Sequence, residues 1–309
     1  MQPEWVMAKV RVLAGALLPA TLLSVFPMLV SAGGVAAAAN NTRVTMLDCA
    51  GLPCVTVQIT AGHSVKLLFD SGDAVSVLDT RRAKALHLRL VPYRSRAGQL
   101  VPGIFLAQVS GVRLGSIVLP PMRFAVMDLA QDGSPPCDGM LSYVTLKDRA
   151  VTLDYAHHLI TVSDPGAQVA PPGDAGVLTY PTFGKKGPHI VATTGFEVNG
   201  KPVTVQVDTL YSGTLLIYPT AVAKLGLEAQ AASVQRRRFP FTDGGVDMIE
   251  GRARGESFAA KELLSNAPLY FATPRVHVPD GMFDGTVGAQ LFTGHSVTFD
   301  FHSNRFWIT

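Results

Sequence analysis

The sequence has little charge and no long basic run. Of its 309 residues, 16% are charged and 48% are hydrophobic, and the net charge is +3. Disordered chains and coiled coils need a much larger charged fraction, so both classes are excluded. The longest basic run, Arg236–Arg238, is too short for the basic patch of a nucleic-acid-binding protein. We therefore expect a globular protein without a nucleic-acid partner.

Cysteine is also scarce. Cys49, Cys54 and Cys137 form no C-x-x-C pair, which argues against the common redox and zinc-binding motifs. In an oxidising compartment Cys54 can pair with Cys49 or with Cys137, and three buried thiols are the third possibility. The sequence also lacks G-x-S-x-G and H-E-x-x-H. No metal and no cofactor is implied.

The longest apolar run lies at the N-terminus. Lys9 and Arg11 precede an apolar stretch over residues 12–30, which leads into Ala37–Ala39. A basic start, an apolar middle and an Ala-x-Ala end predict a signal peptide over residues 1–39, and a periplasmic or secreted protein. The stretch nearly reaches the roughly 18–20 apolar residues of a spanning helix, so an uncleaved N-terminal anchor is the alternative. A membrane is a partner in that case alone.

An internal repeat organises the remaining chain. Residues 55–70 consist of two alternating apolar and polar runs around a turn at Gly62, and residues 196–208 repeat this pattern around Gly200. In both copies an aspartate lies eight positions after the turn glycine. Alternating runs joined by a glycine turn are typical of a β-hairpin.

Later landmarks recur in the same order. The segments 138–142 and 151–155 have counterparts at 284–288 and 297–301, at a constant offset of 146. A repeat of this length predicts two copies of one all-β unit.

The copies are predicted to form two lobes. A Pro/Gly-rich stretch at 165–179 separates them, which indicates a linker. We place an N-terminal lobe at 40–164 and a C-terminal lobe at 180–309. Each is long enough for a core of its own.

Each copy carries one acid at the end of an apolar strand. Asp70 is followed by Ser71 and Gly72, and Asp208 is followed by Thr209. If a pseudo-twofold axis brings the two loops together, the acids cannot both ionise, and they share one proton. Such a pair can take a proton from water and give one to a carbonyl oxygen, as direct amide hydrolysis requires. The two hydroxyls would hydrogen-bond across the interface, and the glycine would present its N–H to a carboxylate.

At these residues the sequence resembles the retropepsin/pepsin clan of aspartic proteases, specifically the bacterial two-lobe, retropepsin-like proteins. The resemblance covers nearly all of the chain after residue 39. It includes the Asp-Ser-Gly turn at Asp70, Asp208 with Thr209, and the segment Thr286–Gly288, which packs behind the active loop in that family. It implies two pseudo-symmetric β-barrel lobes with an interlobe cleft and short helices. It also implies that Asp70 and Asp208 are the catalytic pair of a monomer.

The resemblance further implies a flap, a mobile hairpin that closes over the substrate, from Arg96–Phe105 or from Thr242–Gly255. Three residues depart from the family pattern. Leu210 stands where the family has Gly, Asp73 stands where it usually has Ala, and Ser142 replaces a Gly.

The sequence therefore predicts an aspartic-type endopeptidase that hydrolyses peptide bonds in a peptide or protein substrate. Asp70 and Asp208 would activate the water, and Ser71, Gly72 and Thr209 would support the loops. The alternative is a catalytically degenerate protein of the same fold that binds an extended peptide in its cleft.

Overall fold

The structure is a computed structural model, and it describes residues 41–95, 97–129, 137–181, 190–232, 236–239, 246–252, 255–259, 261–266, 268–272 and 282–309. The predicted signal peptide over residues 1–39 lies outside this part of the chain. Within the described residues, no helix has both the length and the apolar character needed to cross a membrane.

Strands dominate both copies, which confirms the predicted all-β fold class. The strands of the first copy are β1 (Thr42–Thr45), β2 (Leu47–Asp48), β3 (Pro53–Thr60), β4 (His63–Asp70), β5 (Ser76–Asp79), β6 (Val91–Arg94), β7 (Leu100–Val109), β8 (Arg113–Leu114), β9 (Ile117–Val118), β10 (Met122–Met127), β11 (Gly139–Ser142), β12 (Ala150–Asp154) and β13 (Leu159–Val162).

The strands of the remaining chain are β14 (Gly176–Thr179), β15 (Ala192–Val198), β16 (Lys201–Val207), β17 (Leu215–Ile217), β18 (Arg236–Phe239), β19 (Val246–Arg252), β20 (Gly255–Phe258), β21 (Lys261–Ser265), β22 (Pro268–Ala272), β23 (Gly285–Val287), β24 (Ser296–Asp300) and β25 (Arg305–Ile308).

The described helices are short. They are the α-helices α1 (Thr80–Ala85), α2 (Pro219–Leu225) and α3 (Glu228–Ala232) and the 3₁₀ helices Tyr143–Leu146 and Ala289–Phe292. Asp79 caps α1 by accepting hydrogen bonds from the first backbone N–H groups, and Gly226 ends α2 in the left-handed conformation.

The two copies share one strand order. In the first copy the hydrogen-bonded neighbours run β6-β7-β10-β5-β11-β4-β3, and in the second they run β18-β19-β22-β17-β23-β16-β15. In both copies the hairpin strand that leads to the aspartate lies parallel to a later strand, β11 or β23. This order curls each sheet into a half-barrel, with the aspartate at the end of a central strand.

A third group of strands joins the copies. The order β1-β13-β12-β24-β25-β14 continues into β15, so strands of both copies hydrogen-bond side by side. β12 pairs with β24 from Ala150↔Asp300 to Asp154↔Ser296. β14 falls within the predicted linker, yet it pairs with both β25 and β15. Leu178 is buried there, and this apolar anchor makes the end of the linker a strand.

The hydrophobic core runs through both copies. A single buried cluster extends from Met46 in the first copy to Ile308 in the second. The rings of Phe69 and Phe299 lie 6.4 Å apart, and Tyr143 and Phe301 lie 5.3 Å apart. Although each copy is long enough for its own core, the core is common to both.

The structure contains one of the disulfide pairings that the sequence left open. Cys49 and Cys54 form a disulfide, and Cys137 is a buried free thiol. Burial raises the pKa of Cys137 to about 11, so the thiol stays protonated and unreactive at neutral pH.

Candidate active site

Two buried aspartates lie at corresponding positions in the two copies. Asp70 ends β4, opposite Ser142 of the parallel strand β11. Asp208 follows β16 directly, and its N–H donates to the carbonyl of Val287 on the parallel strand β23. Both side chains are almost fully buried, at 0% and 1% exposure. Each acid therefore lies at the carboxyl end of an apolar strand, at the equivalent position of its half-barrel.

Reciprocal hydrogen bonds join the two loops. The Ser71 N–H donates to Thr209 Oγ1, and the Thr209 N–H donates to Ser71 Oγ, both at 3.1 Å. The Ser71 hydroxyl in turn donates to the Val207 carbonyl at 3.0 Å, and the Thr209 hydroxyl donates to the Phe69 carbonyl at 2.5 Å. Each hydroxyl thus satisfies backbone groups of the opposite copy, which fixes the two loops in register.

Backbone N–H groups hold the carboxylates. Asp70 Oδ1 accepts from the N–H of Gly72 at 2.8 Å and of Asp73 at 3.0 Å. Asp208 Oδ1 accepts from the N–H of Leu210 at 2.9 Å. Asp70 Oδ2 is buried and has no hydrogen-bond partner among the described residues. This oxygen is available to a proton or to a bound water.

The carboxyl group of Asp208 lies against the opposite loop. A Cβ atom added at Gly72 would lie 2.5 Å from Asp208 Cγ and 2.8 Å from each carboxylate oxygen. Because real Cβ contacts are longer than 3.0 Å, glycine is required at this position. The absence of a side chain at residue 72 lets the acid of one copy approach the loop of the other.

The electrostatics favour a retained proton. Burial, followed by the negative charges of Asp208 and Asp73, raises the pKa of Asp70 well above its ordinary value. The N–H groups of Gly72 and Asp73 act in the opposite direction. Two interacting acids titrate as a pair, and the raised pKa of Asp70 favours a proton on this acid.

Leu210 fits without distorting its loop. Its φ angle is not among the positive values of the chain, so the turn needs no glycine here. The side chain is 8% exposed and belongs to a buried apolar cluster of the first copy that includes Val75, Tyr93 and Met127. Leu210 is therefore accommodated because its side chain packs against residues of the first copy.

Ser142 and Gln206 hydrogen-bond to the backbone of the loop after β4. The Ser142 hydroxyl donates to the Asp73 carbonyl at 2.7 Å, and its N–H donates to Ser76 Oγ at 3.1 Å. Gln206 Nε2 donates to the Gly72 carbonyl at 3.4 Å. The sequence does not single out Gln206, although a glutamine between two buried valines of a central strand is a signal that could have found it.

The two predicted flap candidates lie at two different β-hairpins. β6 and β7 pair around a turn in which the Ser95 N–H donates to the Gln99 carbonyl, and Tyr93 of β6 belongs to the same buried cluster as Leu210. Arg96 itself lies outside the described residues. β18 and β19 form the second hairpin, and residues 240–245 between these strands, where the candidate Thr242–Gly255 begins, are also outside them.

The three acids Asp70, Asp73 and Asp208 do not form a metal site. Within the part of the chain that the structure describes, no group of three or more His, Cys, Asp or Glu side chains has a geometry that could hold a metal ion.

One comparison with known proteins bears on the first of the two aspartate loops. Residues 55–144 match a family described as aspartyl protease, and the matched segment contains Asp70, Ser71 and Gly72. The resemblance predicted from the sequence is confirmed over this segment. No curated protein matches the chain. Among solved structures, the chain is similar to the crystal structure of basic 7S globulin from soybean, at 12% identity over 87% of this chain and 94% of that one, with a TM-score of 0.45.

Proposed function

We propose that this protein is an aspartic-type endopeptidase in which Asp70 and Asp208 share one proton and activate a water molecule. The reciprocal hydrogen bonds between Ser71 and Thr209 carry the proposal, because they hold two buried carboxyl groups at one place between the copies. The aspartyl protease family match over 55–144 supports it.

The chemistry follows from the shared proton. The ionised carboxylate takes a proton from the water, whose oxygen attacks the carbonyl carbon of the substrate amide. The protonated carboxyl gives its proton to the carbonyl oxygen, so that a neutral gem-diol forms. The acid that received the water proton then protonates the amide nitrogen, the C–N bond breaks, and the carbonyl forms again as one gem-diol proton returns to the pair. The pair ends with one proton, as it began.

Substrate class and location form part of the same proposal. The substrate is a peptide or protein chain bound in extended form between the lobes, and the enzyme acts as a monomer because both acids lie on one chain. We assign it to the periplasm or the exterior. The basic, apolar and Ala-x-Ala pattern over 1–39 supports export, and the disulfide between Cys49 and Cys54 suits an oxidising compartment.

One observation favours a second candidate function. Leu210 replaces a glycine beside the dyad, and its side chain fills space between the copies. A protein with this change can keep the cleft, lose turnover and bind peptides by strand pairing.

A cleavage assay separates the two functions. The full-length protein is incubated with a peptide library between pH 3 and pH 8, and products are identified by mass spectrometry. We expect cuts that fall at least about 100-fold in Asp70→Asn and in Asp208→Asn, because each variant removes one acid/base group. Asp174→Asn, an exposed acid far from the site in sequence, is the matched control and keeps full activity. Folded wild type that cuts nothing would favour the peptide-binding function.

A further inference from the structure

The two aspartate loops differ in charge. The first loop reads Asp70-Ser71-Gly72-Asp73, and the second reads Asp208-Thr209-Leu210-Tyr211. The fourth position is thus an acid in one copy and a tyrosine in the other. Asp73 is 4% exposed, so a third carboxyl group is enclosed at the site.

The backbone of Asp73 is fixed on both sides. Its N–H donates to Asp70 Oδ1 at 3.0 Å, and its carbonyl accepts from the Ser142 hydroxyl at 2.7 Å. Its own Oδ1 accepts from the Ala74 N–H at 2.7 Å. The backbone is therefore held in place, and turning the carboxyl group out to solvent would break its hydrogen bond with the Ala74 N–H.

Several of the described groups at this corner are acids or phenols. The negative charge of Asp208 acts on Asp70 from the second copy, and that of Asp73 acts on it from its own loop. Tyr143, on the 3₁₀ helix after β11, is buried, and its pKa is raised by burial, by Tyr180 and by the charges of Asp73 and Asp70. The phenol thus interacts with both acids.

We propose that Asp73 is a positioning residue that keeps the shared proton on the Asp70–Asp208 pair to higher pH than two carboxyl groups would, and so extends the working range toward neutrality. This inference rests on the proposed function of the pair. It concerns the pH at which the site works and leaves the reaction unchanged.

The physical reason is like-charge repulsion in a buried place. A negative charge beside an acid disfavours its ionised form, and the effect is strong where water is excluded. A raised pKa means that the neutral form persists to higher pH, so the singly protonated pair also persists. Without the charge of Asp73, both titration steps of the pair move to lower pH, by about one unit.

The experiment compares the full-length wild type with Asp73→Asn, which removes the charge and keeps the shape, and with Asp73→Glu, which keeps the charge. Asp73→Ala provides a second neutral variant. Asp174→Asn makes the same charge change at an exposed site. For each protein we measure the pH profile of peptide cleavage and the ¹³Cγ titration of labelled aspartates by NMR.

We expect the alkaline limb of the profile and the dyad titration to move down by about one pH unit in the two neutral variants. Asp73→Glu and Asp174→Asn should retain the wild-type positions. Unchanged titration in folded Asp73→Asn and Asp73→Ala would overturn the inference and leave the proposed function standing. If the folded wild type cleaves nothing, the proposed function fails, and the NMR titration still decides whether Asp73 raises the pKa of the pair.

Discussion

The loop after β4 and the loop after β16 make the same contacts to each other and meet different surroundings. Ser71 and Thr209 exchange hydrogen bonds almost symmetrically. Around them, Gly72 faces the carboxyl group of Asp208, whereas the corresponding Leu210 enters an apolar cluster of the first copy. The hydroxyl pair thus holds the acids in place, while the residues beside it determine their environment.

The strands behind the loops extend this difference. β11 ends in Ser142, whose hydroxyl bonds the Asp73 carbonyl. The equivalent Gly288 admits no side chain, because a Cβ there would lie 2.1 Å from the Tyr211 carbonyl oxygen. A side chain supports the loop after β4, whereas direct backbone packing supports the loop after β16. Substitutions at Gly72, at the hydroxyl pair and at Leu210 test this comparison, in decreasing order of expected effect.

Gly72→Ala should have the largest effect. The new methyl group would overlap the Asp208 carboxyl, so one loop must move, and a displacement of this size costs about 100-fold in kcat/KM. Steady-state kinetics measures the loss. Gly173→Ala is the control, because a Cβ at Gly173 meets nothing within 4 Å. Full activity in Gly72→Ala would show that the close approach to Asp208 is not needed for catalysis.

Removal of the hydroxyl pair should come next. Ser71→Ala and Thr209→Val each leave buried N–H or carbonyl groups without a partner, at a cost of about 1–3 kcal/mol in the free energy of unfolding. Denaturant unfolding of both single variants and of the double variant measures their coupling. We expect non-additivity, because the two hydroxyl groups are in contact, with Ser71 Oγ 3.4 Å from Thr209 Oγ1.

A second cross-copy hydroxyl pair provides the control for that cycle. Thr152 and Thr298 hydrogen-bond at 2.8 Å between β12 and β24, in the sheet that joins the copies. Thr152→Val and Thr298→Val should reduce stability without loss of catalytic rate. Simple additivity at Ser71 and Thr209 would contradict the interpretation of these residues as one unit.

Leu210→Gly should have the smallest effect on rate. Removing the side chain opens space beside the dyad, and we expect kcat/KM to rise a few-fold while the thermal unfolding temperature falls, since a buried leucine is lost. Leu210→Met conserves the volume and should leave the rate unchanged. If the glycine variant keeps the wild-type rate, Leu210 does not restrict the substrate.

The hairpins and the repeat could be predicted because they are local. Alternation of period two and a fixed interval from turn glycine to aspartate depend on neighbouring residues alone, and both persist in β3–β4 and β15–β16. The same interval placed Asp70 and Asp208 at matching strand ends. These features need no knowledge of how the copies meet.

Features that depend on how distant segments meet could not be predicted. The cluster that accepts Leu210, the hydrogen bond from Gln206 to Gly72 and the choice of Cys49 over Cys137 as the partner of Cys54 are all tertiary. The strand at the end of the predicted linker forms for the same reason, because its neighbours β15 and β25 come later in the chain.

Because a sheet joins the two copies, their association does not depend on the peptide linker alone. β12 and β24 pair over five residues, and the aromatic core crosses the boundary from Phe69 to Phe299. The residues around 164–166 and 172–174 are exposed, so this is where the backbone is open to a cut. A chain cleaved in this linker would remain associated, because strand pairing and the shared core hold the two fragments together. Either half expressed alone would expose part of its hydrophobic core, whereas the two halves expressed together would assemble and bury it.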